Sequence, residues 1–313
     1  MISQALPKLI VILGPTASGK TSWGLELAKK YDGEIISADS RQVYQKMNIG
    51  TAKVQGEWRW NGLRRTYFVE GIPHHLVDFL NPGKSFSAAE FRDKALKYSK
   101  IAHKNGRLPM VVGGTGLYIS ALVDNFVIPR VAAHGKLRQS LEEKTNEELL
   151  QVLEKLDPDA ALVIDRHNKR RLIRALEVCI LSGQPFSGQK KKGVQLFDIL
   201  QIGIATPQVV LNERINARVD QMITVGLVTE IANLIKQSYG WNLPSMNGIG
   251  YRQFKNYFEG KVSIEETIEL LKRDTRHYAR RQMTWFRRDP RIKWCTSIDE
   301  TEKLIDIFLQ QSH

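Results

Sequence analysis

Residues 14–21 read Gly14-Pro15-Thr16-Ala17-Ser18-Gly19-Lys20-Thr21, the G-x-x-x-x-G-K-[ST] pattern of a phosphate-binding loop, or P-loop. Its neighbours constrain the fold. The apolar run Leu9–Leu13 ends in glycine and fits a buried parallel strand. Lys20 to Lys30 follows with Trp23, Leu25, Leu27 and Ala28 at helical spacing. A strand, a glycine loop and a helix in that order aim backbone N–H groups and a helix N-terminus at one anion. Lys20 adds a point charge for the outer phosphate, and the Thr21 hydroxyl can hold Mg²⁺. Gly14 to Thr21 is thus a candidate pyrophosphate site. The motif specifies a pyrophosphate-containing ligand, not ATP in particular.

The rest of the chain extends this unit. Ile35-Ile36, Pro109–Gly114 and Ile199–Ala205 read as further strands. Ser87 to Lys104 reads as a helix in which Ser87 and Glu90 form a capping box. Strands separated by helices predict an α/β fold with a parallel sheet and crossover helices. From about Val127 to Gly193 strand-like runs nearly vanish, and 137–144, 146–156 and 168–181 read as helices. The expected organisation is a P-loop catalytic core over 1–126 and 200–313, with a helical insertion over 127–199. After Pro207 the pattern is mostly helical, through Asn212–Lys236 and Ser263–Arg288.

Lys and Arg number 46 against 33 Asp and Glu, a net charge of +13. That surplus favours a polyanionic partner, the alternative being a basic but merely solvated surface. Cys179 and Cys295 stand alone in apolar runs, as core thiols rather than a zinc site or disulfide framework. His74 and His75 are adjacent, and neighbours in extended chain point opposite ways, so the pair reads as structural. The apolar run at 9–13 is too short for a signal segment or membrane span, which predicts a cytosolic protein.

A kinase would need a second carboxylate at a strand end, but Pro109–Gly114 runs into Gly-Gly-Thr. The strand-end acid near the front is Asp39. Ligands of open α/β sheets sit at the carboxyl ends of strands, so Asp39 should face the P-loop, unless it merely caps a helix starting near Ser40.

Read in order, several blocks resemble the tRNA dimethylallyltransferase family, bacterial type. They are Gly14–Thr21, Ser37-Ala38-Asp39-Ser40-Arg41-Gln42-Val43-Tyr44, Met47–Lys53, His74–Asp78 and Val112–Tyr118. Arg174–Val178, Gly248–Tyr251 and Arg280–Arg287 complete the set, which spans nearly the whole chain. The resemblance implies that the P-loop holds dimethylallyl diphosphate, with Mg²⁺, and that no nucleotide is consumed. Asp39 would be the general base toward the adenosine N6 amine, Thr16 would bond near the bridging oxygen, and Arg218 would stabilise the leaving pyrophosphate. Without the resemblance Arg218 reads as an exposed helix arginine.

The implied RNA partner is a tRNA anticodon stem-loop, bound by a monomer. Asp39, Ser40, Arg41 and Gln42 would meet the target base region, and Gly116 and Gln282 lie in matching blocks. Arg170, Arg171 and Arg174 on an inserted helix, and Tyr251 with Arg252, would also contact RNA. On the helix through 272–288, Arg273, Arg276, Arg280 and Arg287 fall within roughly 60° of one another. Tyr278, Gln282, Trp285 and Phe286 lie opposite and read as core. That stripe is an RNA or pyrophosphate contact or a solvated face. The triplet Lys190–Lys192 stays open between RNA contact and solvated loop.

The chain departs from the family in Val54–Gly71, a longer connection carrying Trp58, Trp60, Arg59, Arg64 and Arg65, suited either to stacking on RNA or to packing. Three other readings compete: a prenyltransferase of free adenine nucleotides, a small-molecule kinase and an RNA-binding NTPase switch.

Overall fold

The apolar runs form strands buried on both faces, and the polar-flanked periodic segments form helices over them. The computed structural model describes residues 5–62, 64–126, 131, 134–189 and 192–311. The chain divides into two compact units, Met1–Val123 with Leu196–His313, and Asp124–Gln195.

The first unit begins β1 (Lys8–Leu13), α1 (Lys20–Lys30), β2 (Gly33–Ala38), β3 (Glu57–Asn61), β4 (Arg64–Val69), β5 (Ile72–His75), α2 (Ala88–Lys104), β6 (Leu108–Gly113) and α3 (Gly116–Val123). The second unit holds α4 (Gly135–Glu142), α5 (Asn146–Leu156), α6 (Pro158–Val163) and α7 (Lys169–Ser182). The first unit resumes with β7 (Asp198–Ile204), α8 (Gln208–Thr224), α9 (Leu227–Lys236), α10 (Lys255–Phe258), α11 (Ile264–Phe286), β8 (Ile292–Cys295) and α12 (Ile298–Gln310).

Among the described residues one eight-stranded sheet runs in the order β3-β4-β5-β2-β6-β1-β7-β8. From β5 to β8 neighbouring strands are parallel. The period of two splits β1 between two cores. Leu9, Val11 and Leu13 pack with Phe91 and Ala95 of α2 and Ile119 and Leu122 of α3. Ile10 and Ile12 pack with Leu27 and Ala28 of α1 and Ile305 and Phe308 of α12. This two-sided burial explains why β1 reads as a continuous apolar run.

The 54–71 segment contributes something the parallel pattern does not contain. β3 and β4 pair antiparallel, and β4 pairs antiparallel with β5, adding a hairpin to the sheet edge. The helix expected over 212–236 is two helices, broken where Gly226 takes φ +101°. Residues 196–199, expected within the insertion, belong to the first unit because β7 begins at Asp198 and pairs there with Lys8 of β1.

The second unit packs Leu141, Leu149, Leu153, Leu172 and Leu176 into its own core. Thr145 closes a capping box with Glu148, and Asn168 caps α7. Glu177 is fully buried, held by Arg138 at 2.8 Å and Arg174 at 2.6 Å and by the backbone N–H of His134 at 2.7 Å.

Both cysteines are buried and free. Burial pushes the His74 imidazole down to about 4, while His75 bonds Glu34 at 2.7 Å and stacks on Tyr98. Each histidine therefore has a packing role in the sheet. No helix among the described residues is long and apolar enough to cross a membrane.

Candidate active site

The loop after β1 enters α1 at Gly19, whose φ of +91° is left-handed and suits a residue without Cβ. No side chain caps this helix, so its first N–H groups remain available to an anion. The loop apex is fixed from outside: Ala17 packs against Ile215 of α8 and Ala279 of α11. Gly14 and Pro15 are buried, and Thr21 is exposed at the head of the helix. Ser18 Oγ is buried and has no hydrogen-bond partner among the described residues. A buried hydroxyl without a partner is costly, and a phosphate oxygen in the loop would satisfy it.

The charges around the loop are unbalanced. Lys20 donates to Pro15 O at 3.1 Å. Burial pushes its ammonium down to about 8, the Asp39 charge partly restores it, and the nearby Arg218 guanidinium depresses it further. Arg218, projecting from α8, is half-buried, and desolvation lowers its own pKa as well. Among the described residues Arg218 makes no ion pair. Two desolvated cations thus share one neighbourhood with a single carboxylate, the arrangement an anion would relieve. The exposed-arginine alternative for Arg218 does not hold.

Asp39 follows directly on β2. Its Oδ1 accepts the N–H groups of Arg41 at 2.8 Å and Gln42 at 3.3 Å. It therefore caps a turn rather than a helix, and among the described residues no hydrogen bond reaches Oδ2. The ends of β2 and β6 are tied together, because Thr115 N–H donates to Ala38 O and Thr115 Oγ1 accepts Ser40 N–H, each at 3.0 Å. Tyr278 of α11 faces the same group; burial first, then the Asp39 charge, pushes its phenol up to about 12. Arg41 reaches Pro244 O at 2.7 Å, and Gln42 Nε2 donates to Ala52 O at 3.0 Å.

Several candidate RNA contacts have other occupations. Gln282 is buried: its Oε1 accepts Thr16 N–H and its Nε2 donates to Gly114 O, both at 2.8 Å. It clamps the P-loop to the end of β6. Tyr251 is wholly buried, with its hydroxyl donating to Glu230 Oε1 at 2.8 Å. Its ring fills the space beside Gly50, where an added Cβ would come within 2.5 Å. Glu230 in turn accepts the N–H groups of Asn48, Ile49 and Gly50. Tyr251 is therefore a core residue that presents no surface to RNA, a correction to its expected role.

Arg252 pairs with Asp274 at 3.2 Å, and Arg276 donates to Asn216 of α8 at 2.6 Å. Arg273, Arg280 and Arg287 are exposed. On the face expected to be core, Phe286 is buried but Trp285 is 39% exposed, lying against Gly116 and Ser120. In the second unit Arg170 and Arg171 are exposed, whereas Arg174 is committed to Glu177 and to Val131 O. Lys190 and Lys191 lie outside the described residues, and Lys192 pairs with Asp124 at 3.2 Å.

The structure thus brings together Gly14–Thr21, Asp39 and Arg218, and adds Tyr278, Thr115 and Gln282. Sequence reading had no signal for the Gln282 clamp beyond its position on a helix. Tyr278 faced the buried side of that helix, but nothing in the spacing tied it to Asp39.

Comparisons with known proteins place nearly the whole chain in one family. A protein-family model described as IPP transferase matches residues 42–289, and an isopentenyl transferase model matches residues 7–75. A tRNA dimethylallyltransferase of Carboxydothermus hydrogenoformans is 44% identical over 310 residues, covering 95% of this chain and 96% of the relative. The crystal structure of full-length tRNA isopentenylpyrophosphate transferase from Bacillus halodurans superposes with a TM-score of 0.69 at 40% identity, over 96% of this chain and 94% of that one. A eukaryotic dimethylallyltransferase acting on tRNA gives a TM-score of 0.77 at 27% identity, over 98% and 80% of the two chains. The chain belongs to the IPP transferase family, that of the tRNA dimethylallyltransferases.

Proposed function

We propose that the chain transfers a dimethylallyl group from dimethylallyl diphosphate to N6 of the adenosine beside the anticodon of tRNA, releasing pyrophosphate. One observation carries this reading. The desolvated cations Lys20 and Arg218 make no ion pair among the described residues, and the carboxylate of Asp39 lies close enough to act on Lys20.

A diphosphate seated on the loop fills the helix N-terminus and gives Ser18 Oγ a partner. As the bond from C1 to oxygen breaks, its electron pair passes to the diphosphate. Lys20 and Arg218 already stand where that charge grows, without reorganisation. The N6 nitrogen forms its bond to C1 and loses a proton to Asp39, whose Oδ2 is not engaged in capping. Thr16 sets the bridging oxygen, and its backbone N–H is fixed by Gln282.

Thr21 offers one exposed hydroxyl. That suits Mg²⁺, which takes few protein ligands and completes its shell with substrate phosphates and water. When bound, the ion neutralises diphosphate charge.

The target base must leave its stack to reach Asp39. Ser40, Arg41 and Gln42 border the carboxylate that would receive it, and Gly116 lies against the Trp285 ring. Arg170 and Arg171 of the helical unit and Arg280 of α11 are exposed cations for phosphates. The work is done in the cytosol by a monomer.

The test offers labelled dimethylallyl diphosphate and Mg²⁺, without ATP, to unmodified tRNA and to AMP in parallel. Label in tRNA alone is expected. Label in AMP would move the chain to the free-nucleotide branch, and label in neither with ATP turnover would overturn the reading.

A further inference from the structure

The edge hairpin is the part of the first unit that the transfer chemistry does not use. In it Trp58 stands opposite Tyr67, and Trp60 opposite Arg65. The period of two puts all four on one face. Trp58 and Tyr67 meet edge to face at 5.6 Å, and the Arg65 guanidinium lies 5.8 Å from the Trp58 ring centre. Trp60 is 72% exposed at the end of this row.

Trp58, Tyr67 and Arg65 of this row line a cleft of about 970 Å³ together with Lys46, Asn48 and Gln55, and Trp60, paired with Arg65, continues the same face beyond it. Its floor is rigid. The buried Lys53 donates to Tyr44 O, to Asn48 Oδ1 at 2.8 Å and to Asp78 Oδ1 at 2.7 Å. Trp58 Nε1 donates to the other oxygen of Asp78 at 3.1 Å, which fixes the plane of its ring. Asp78, the one acid in the lining, is thereby consumed by Lys53. Lys46 bonds a neutral amide, Gln237 Oε1, at 2.5 Å, and Arg65 makes no ion pair among the described residues. The cleft keeps a positive charge.

We propose that this cleft binds an unpaired nucleotide of the substrate tRNA other than the modified adenosine. The identity of the RNA rests on the function proposed above. A base stacks on the tryptophan row, its phosphate meets Arg65 and Lys46, and the amides of Gln55 and Asn48 face its edge. Rings alternating with cations and amides suit unpaired nucleotides. The cleft also shares backbone with the reaction site: Asp78 N–H donates to Gln42 O at 2.9 Å, three residues beyond Asp39.

The experiment uses the full chain with Trp60→Ala and Arg65→Ala, two exposed positions outside the transfer machinery. Affinity for an anticodon stem-loop is measured by fluorescence anisotropy across salt concentrations, beside label transfer at saturating RNA. Trp60→Ala should raise Kd by about tenfold, the worth of one stacked base. Arg65→Ala should raise Kd and lower the salt slope by about 0.7 to 1. Both should leave the saturating rate unchanged. Wild-type Kd and slope in both variants would overturn the proposal, as would a fall in saturating rate with Kd unmoved. A wild-type chain that transfers no label would defeat the functional reading instead, and RNA affinity of the variants would still decide the cleft.

Discussion

Replacing Lys20 by methionine should make the protein more stable while removing its affinity for diphosphate. Burial lowers the Lys20 pKa from 10.5 to about 8. A drop of that size corresponds to about 3 kcal/mol at neutral pH. Lys20 is not wholly shut off from solvent, so this is an upper bound. Methionine fills similar space but gives up the bond to Pro15 O, worth about 1 kcal/mol. The net gain is therefore about 2 kcal/mol at most, or roughly 4 °C in Tm for a chain of this size.

The pH dependence follows with a definite sign. The folded state releases the Lys20 proton first, so the unfolded state binds more protons between about pH 8 and 10.5. Wild-type stability carries the penalty below pH 8 and recovers as pH rises through that window, whereas Lys20→Met lacks the recovery. Pyrophosphate should reverse the depression, so calorimetry near pH 8.5 in buffers of different ionisation enthalpy should detect proton uptake by the wild type alone. Equal or lower stability of Lys20→Met at pH 7, or binding without proton uptake, would refute the idea that Lys20 is held as an anion partner at a cost.

Asp39→Asn keeps Oδ1 as the acceptor for the Arg41 and Gln42 N–H groups but removes the base; single-turnover transfer should fall by about 10²–10⁴-fold with RNA affinity unchanged. Gln282→Leu strands Thr16 N–H and Gly114 O; chemical denaturation should register a loss of about 1–3 kcal/mol, and KM for the diphosphate should rise. Glu177→Ala leaves Arg138 and Arg174 without their shared carboxylate. Hydrogen exchange should quicken in 169–182, with a local loss of about 1–3 kcal/mol, while the strands of the sheet unit keep their protection.

The chain's local patterns carried much of this protein openly. The P-loop lies within eight consecutive residues, and its strand and helix announce themselves by period, so Lys8–Leu13 and Lys20–Lys30 match the expected elements closely. The capping box at Ser87 and the helix over 146–156 are likewise short-range facts. The edge hairpin was legible in principle, from the alternation at Trp58–Trp60 and the Asn61-Gly62 pair before a second β-rich run.

Tertiary structure alone decided which polar groups face which. Arg218 reads the same in sequence whether solvated or aimed at Lys20, because the elements that desolvate it come from elsewhere in the chain. Tyr251 sits in a motif block, yet Glu230 and Gly50 make it core. Gln282 and Trp285 share one helical face, but packing buries the first against the P-loop and leaves the second at the surface. Spacing along a helix fixes direction within a few turns; burial and charge depend on partners distant in sequence, and those are set only when the sheet and α8, α9 and α11 assemble.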